Sequence, residues 1–176
     1  GFKSQLVGRV AGGIIIPYGN SKVSPFAESF YVGGANSIRA FTVRSVGPGR
    51  YHVDNSELAY FDRVGDIKLE GNLEYRFNVF GGLYGALFLD AGNVWNLKNN
   101  FDDQSAQDGV FRLKDFWKQM ALGTGFGVRY DLDFFVLRLD LGIGLHLPYD
   151  TGKSGFYNIP KFRDGLGFHF AIGYPF

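Results

Sequence analysis

The amino-acid sequence predicts an all-β fold, an antiparallel transmembrane β-barrel, and three observations carry the prediction. Apolar residues alternate with polar or small ones over stretches of about 10 to 15 residues, longer than the roughly 5 to 6 of ordinary strands. Glycine supplies 26 of 176 residues and aromatics 18%; with glycine about twice its usual ~7%, the mixture favours strands, turns and close backbone approaches over helix. The connections between stretches are alternately tight and long, as on the two sides of an outer-membrane barrel.

In the first stretch Leu6, Val10, Ile14 and Ile16 share one face, and Lys3, Gln5 and Arg9 the other. A long connection over residues 17–65 follows. In the second stretch Ile67, Leu69, Leu73, Tyr75, Phe77 and Val79 alternate with Lys68, Glu70, Asn72, Glu74, Arg76 and Asn78. A tight turn at Phe80-Gly81-Gly82 leads to the third, Leu83 to Trp95, where Leu83, Leu87 and Leu89 oppose Phe88 and Asp90. The connection 96–115 is long. It carries the acidic run Asp102 to Asp108, which lacks the calcium-loop pattern and reads as a solvated external loop. Trp95 and Trp117 are expected near the external interface, in an aromatic girdle, although Leu113, Phe116, Trp117 and Met120 also fall at the spacing of a short helix.

The fourth stretch sets Met120, Leu122, Thr124, Phe126, Val128 and Tyr130 against Ala121, Gly123, Gly125, Gly127 and Arg129. After a tight turn at Asp131-Leu132-Asp133, the fifth sets Phe135, Leu137, Leu139, Leu141, Ile143, Leu145 and Leu147 against Val136, Arg138, Asp140, Gly142, Gly144 and His146. The connection 148–163 is long again. The last stretch, Leu166 to Phe176, places Phe168, Phe170, Ile172, Tyr174 and Phe176 opposite Gly167, His169, Ala171, Gly173 and Pro175.

A soluble sandwich or lipocalin-like barrel also alternates, but its second face is ordinary polar surface with no preference for glycine. Here the second face mixes charges with rows of glycine, which suits a barrel lumen whose other wall faces lipid. Six strands cannot close a membrane barrel, because eight is the usual minimum. The chain is therefore expected to be a single domain, residues 1–176, forming the C-terminal portion of a larger barrel. It begins Gly-Phe-Lys, with no initiator Met and no signal-like segment, which fits a piece of something longer.

The composition excludes several classes. A net charge of +1, from 18 Lys and Arg against 17 Asp and Glu, provides no field to attract nucleic acid. The lack of Cys removes thiol nucleophiles, disulfides and zinc-thiolate sites. No run approaches 18 apolar residues, so no helical span is expected. The GxG pattern at 123–127 is not a dinucleotide fingerprint, since Val128 stands where GxGxxG needs glycine. His52, His146 and His169 have no partners placed for hydrolysis; Asp140 lies about 20 Å along the strand from His146. No catalytic set, metal or cofactor is expected.

The long connection carries Phe30-Tyr31-Val32-Gly33-Gly34-Ala35-Asn36-Ser37-Ile38-Arg39-Ala40-Phe41, then Val46-Gly47-Pro48-Gly49. With Asn72-Leu73-Glu74-Tyr75-Arg76, Phe88-Leu89-Asp90-Ala91-Gly92-Asn93-Val94-Trp95, Gly125 to Asp131 and Arg138 to Leu141, it resembles the surface-antigen superfamily of bacterial outer-membrane assembly factors (BamA/TamA-like). The family hallmark is a Gly-Gly pair followed by Val/Ile-Arg-Gly-Phe/Tyr, here Gly33-Gly34 and Ile38-Arg39-Ala40-Phe41, with Ser37 preceding. Ala40 departs from the usual glycine, which argues against a backbone conformation reserved for glycine there.

The resemblance implies a barrel of about sixteen strands, a hallmark loop folded into the lumen, and Arg39 meeting Glu74 and Asp90. Strand parity reaches the two acids independently, since both fall on the lumen face of neighbouring strands. Two such carboxylates repel unless a cation lies between them, and a guanidinium can bond both. Gly173 resembles the kink glycine of the family's last strand, and Tyr174 and Phe176 fit its terminal aromatic signal. Together they mark the closing-seam strand.

The function implied is assembly and insertion of β-barrel proteins into the bacterial outer membrane, through a seam that opens sideways, without enzymatic chemistry. Its partners would be unfolded outer-membrane proteins, the lipid bilayer, periplasmic repeats upstream and accessory lipoproteins, with no nucleic acid. A translocation pore of the two-partner secretion kind is the alternative reading, and a passive porin the third.

Overall fold

A computed structural model describes residues 3–20, 24–52, 63–98 and 104–176. The strands are β1 (Ser4–Ile14), β2 (Ile67–Phe80), β3 (Leu83–Trp95), β4 (Ala121–Asp131), β5 (Val136–His146) and β6 (Leu166–Ile172). They form one antiparallel sheet in sequential order, each strand beside its chain neighbour. The fold is all-β, as the alternation predicts. Among the described residues no helix is long and apolar enough to cross a membrane. Residues 21–23 and 53–62 of the long connection lie outside the described residues, as do 99–103, with Asp102 and Asp103 of the acidic run.

Period-2 alternation gives the sheet two unlike faces. Leu73, Tyr75, Leu87, Leu89, Phe126, Val128, Tyr130, Leu139, Phe168 and Phe170 are exposed on one. The other is covered by the connection between β1 and β2, and is called here the inner face. It presents Glu70, Asn72, Glu74 and Arg76 from β2, Phe88 and Asp90 from β3, Arg129 from β4, and Arg138 and Asp140 from β5, all buried. The apolar core is built largely from the covering loop. Val32, Ile38, Ala40, Phe41 and Val46 cluster with Val94, Ala121, Leu147 and Ile159.

Three expectations are corrected. Trp95 is not in an interfacial girdle; it is fully buried, its indole N–H donating to Gln119 Oε1 at 2.6 Å and its ring edge-on to Phe111 and Phe116. Its place at the end of the third stretch, beside a long connection, suggests the interface, but the connection between β3 and β4 folds back over that end of the sheet. Trp117 is exposed and belongs to a short loop helix, as its spacing allows, but the 3-10 helix spans Phe116–Gln119 and includes neither Leu113 nor Met120. Leu147 lies beyond β5 and is buried in the core, its N–H held by Asn158 Oδ1.

The last strand is shorter than Leu166 to Phe176. It ends at Ile172, because Gly173 takes a left-handed φ of 91° and Pro175 has no N–H to continue the ladder. Alternation stops there. Instead of joining Phe170 and Ile172 on the exposed face, Tyr174 turns its ring to the Arg76 guanidinium, 4.2 Å away. The Phe176 main-chain oxygen accepts from Arg76 Nη2 at 3.2 Å.

Candidate functional site

The hallmark segment is a closed turn whose geometry depends on its two glycines. Gly33 and Gly34 have φ of 103° and 97°, in the left-handed region that side chains avoid. A Cβ at Gly33 would also strike the Thr42 carbonyl. Gly34 N–H donates to Phe41 O, Ser37 N–H to Gly34 O, and Arg44 N–H to Val32 O, so the segment satisfies its own backbone while leaving the sheet surface. Ser37 ties it to β2: its hydroxyl donates to Glu70 Oε2 at 2.6 Å and accepts from Gly33 N–H. Ile38 and Phe41 anchor it in the core. Ala40 has no left-handed φ, so alanine occupies the position without strain.

That fold delivers Arg39 to the inner face, where it is fully buried. Its Nε and Nη2 donate to the two oxygens of Asp90 at 2.8 and 2.9 Å, a bidentate pair, and its own N–H adds a third bond to Asp90 at 3.1 Å. Nη1 pairs with Glu74. The guanidinium lies 3.5 Å from the Phe88 ring centroid. Burial opposes the charge on Arg39, but the hydrogen bonds and negative charges of Asp90 and Glu74 outweigh it and raise its pKa above the ordinary value. The side chain is a permanent cation.

The structure thus brings Arg39, Glu74 and Asp90 together. The two acids sit on β2 and β3, where Glu74 pairs with Phe88 and Asn72 with Asp90. Asn72 fills the gap, donating to Asp90 Oδ1 and to the Ser37 carbonyl.

Three further arginines and a third acid complete the cluster. Glu74 also accepts from Arg76 Nε at 2.7 Å and Arg129 Nη2 at 3.0 Å. Arg129 Nη1 reaches Asp140 at 2.6 Å, and Asp140 lies 3.5 Å from Arg138. Arg138 donates to the Ala35 carbonyl and to Asn36 Oδ1, holding the loop from β5. Parity put all four on the inner face, and that was the available signal. Register, which decides who meets whom, was not in the pattern.

A second attachment lies at the loop's far end. Asn93 Nδ2 donates to the carbonyls of Gly49 and Gln119 at 2.9 and 2.5 Å, while Gly49 N–H donates to Val94 O. Loop, β3 and the connection to β4 are joined at one amide. Past Gly173, at the end of β6, Tyr174 and Phe176 reach the arginine cluster: their rings lie 4.2 and 5.8 Å from the Arg76 guanidinium, and that of Phe176 5.9 Å from the Arg39 guanidinium.

Chemically the cluster is a clamp, since every charged group is met by an opposite charge or a carbonyl. The histidines stay separate: His52 stacks on Tyr149, His146 Nδ1 contacts the Phe156 carbonyl, and His169 Nε2 contacts the Arg39 carbonyl. Among the described residues no group of His, Cys, Asp or Glu is placed to hold a metal ion.

Comparison with known proteins matches residues 2–176 to the Omp85 superfamily domain. The chain is 33% identical over 105 residues to outer membrane protein assembly factor BamA of Neisseria meningitidis serogroup B, covering 57% of this chain and 12% of that protein. It is 38% identical over 89 residues to the sorting and assembly machinery component 50 homologs of Bos taurus and Homo sapiens, covering 49% of this chain and 18% of each. The chain therefore spans less than a fifth of the length of these relatives.

Proposed function

This chain belongs to the Omp85 superfamily, and from that premise we propose that it takes part in assembling and inserting β-barrel proteins into an outer membrane. The name of the bacterial relative, an outer membrane protein assembly factor, supports this reading over a secretion pore. Residues 1–176 act as one domain, the C-terminal portion of a barrel whose lumen is the inner face. We place the membrane in a bacterium, as the surface-antigen resemblance implies, while the mammalian relatives carry the family beyond bacteria. The work is non-enzymatic: main-chain pairing and burial, with no bond made or broken.

The observation that carries the proposal is the Arg39 clamp. Four strands contribute charged groups to one buried cluster closed by a loop residue, an arrangement that obstructs an open pore and fixes the loop under the sheet. β6 pairs over seven residues with β5 at one end of the sheet, a shorter ladder than the eleven residues that join β1 and β2. An unpaired edge is costly in lipid, because its N–H and C=O groups find no water there. A substrate strand adding to that edge would satisfy them. This is the seam, with Gly173 ending its pairing and Tyr174 and Phe176 turned away from lipid.

Unfolded barrel proteins are the substrates in this reading, delivered through upstream periplasmic repeats and separate accessory lipoproteins. Photo-crosslinking groups placed along β6 and along β3 of the intact protein test it. A stalled substrate barrel should crosslink to β6 and leave β3 untouched; equal labelling of both strands would remove the seam from the mechanism.

A further inference from the structure

The hallmark loop meets β2 and β3 through the Arg39 side chain, but it meets β5 and β6 through its backbone. The Arg39 carbonyl lies over Gly142 and Gly167, which face each other directly across the β5–β6 ladder. A Cβ on either glycine would collide with that carbonyl. Two glycines in register therefore make a saddle for one peptide group, which no larger pair could form. Two residues further along β6, and on the same face, His169 places Nε2 2.8 Å from the same oxygen. A carbonyl can only accept, so Nε2 carries the proton of this bond.

We propose that His169 is a positioning residue for the assembly reaction. It fastens the last strand to the docked loop and holds the outer edge of β6 in place while a substrate strand pairs. The inference rests on the reading of β6 as the seam. The physical need is plain from the ladder lengths: β1 and β2 pair over eleven residues and β5 and β6 over seven. A strand held by the shorter ladder frays more readily, and a tie from its centre to a buried loop opposes fraying. The tie also senses register, because a one-residue slip would send both Gly167 and His169 to the opposite face.

The test compares His169→Leu, which fills the space without a donor, with His169→Gln, whose side-chain amide can donate to the same carbonyl. Both are made in the intact protein in lipid bilayers, and amide hydrogen exchange is followed over residues 37–42, 67–80 and 166–172 alongside the assembly rate of a reporter barrel. His169→Leu is expected to speed exchange in the loop and in β6 roughly fivefold, the worth of one hydrogen bond. It should leave β2 unchanged and slow assembly, and His169→Gln should restore all three readings. Gly167→Ala keeps the histidine but should lift the carbonyl off its saddle, giving the same loop exchange as His169→Leu. Wild-type exchange in the leucine variant, or a glutamine variant as impaired as leucine, would overturn the proposal. A wild-type protein that fails to speed assembly would instead sink the assembly reading, with the exchange comparison still deciding the tie.

Discussion

Arg39 is buried with a permanent charge, and its stabilisation comes from partners 35 and 51 residues away in sequence, on the neighbouring strands β2 and β3. Removing one member of such a cluster leaves the others desolvated and unmatched, which typically costs about 3 to 5 kcal/mol. Arg39→Ala should therefore release the loop, seen as faster proteolysis within residues 24–52, and Arg39→Lys should rescue it poorly, since an ammonium cannot reproduce the bidentate pair with Asp90. A loop as resistant as wild type in the alanine variant would deny the clamp. The Ala40 departure makes a second prediction at this scale. A Cβ at Gly123 would approach the Ala40 Cβ to 2.5 Å, and its next neighbour, the Ile143 carbonyl, is at an ordinary 3.5 Å. Gly123→Ala should lower stability by about 1 to 3 kcal/mol through overpacking, and adding Ala40→Gly should recover most of it. A double-mutant cycle in denaturant with no coupling would show that the contact is not what limits position 123.

Between elements, the connection after β3 is held by Asn93, one amide bridging Gly49 and Gln119. Asn93→Leu leaves both carbonyls without that donor, at roughly 1 to 3 kcal/mol, and should speed hydrogen exchange over residues 47–52 and 116–120 while the Arg39 cluster keeps its protection. Uniform loosening of both regions would mean that the two attachments are not separate. The strands themselves were legible because β2 and β5 keep period-2 alternation over most of their length, broken at Gly71 and Val136, and the inner face followed from it. Three features were hidden for physical reasons. Trp95 is buried by residues that arrive from the next connection, which parity cannot foresee; Leu147 leaves the ladder one residue after His146; and Tyr174 leaves its face because of a left-handed φ at Gly173 that the glycine permits but does not dictate. Likewise Arg129 and Asp140 were visible on the inner face, but their link to Glu74 needed the register.

For the whole molecule, an apolar face opposite a charged and glycine-lined one is the distribution expected of a wall between lipid and lumen. Phe126, exposed at the middle of β4, should tolerate no charge in a bilayer: Phe126→Arg is expected to cost about 2 to 4 kcal/mol near the midplane, read from folding into lipid vesicles. A neutral result would place that face in water. The central claim joins this wall to the clamp and the proposed β6 seam in one assembly machine. It is tested most directly by the folding rate of a reporter barrel into vesicles containing the intact protein, wild type or Arg39→Ala. The account predicts that wild type accelerates folding and that the variant, inserted equally well, loses most of the acceleration. Acceleration unchanged by the substitution, or absent with wild type, would contradict it.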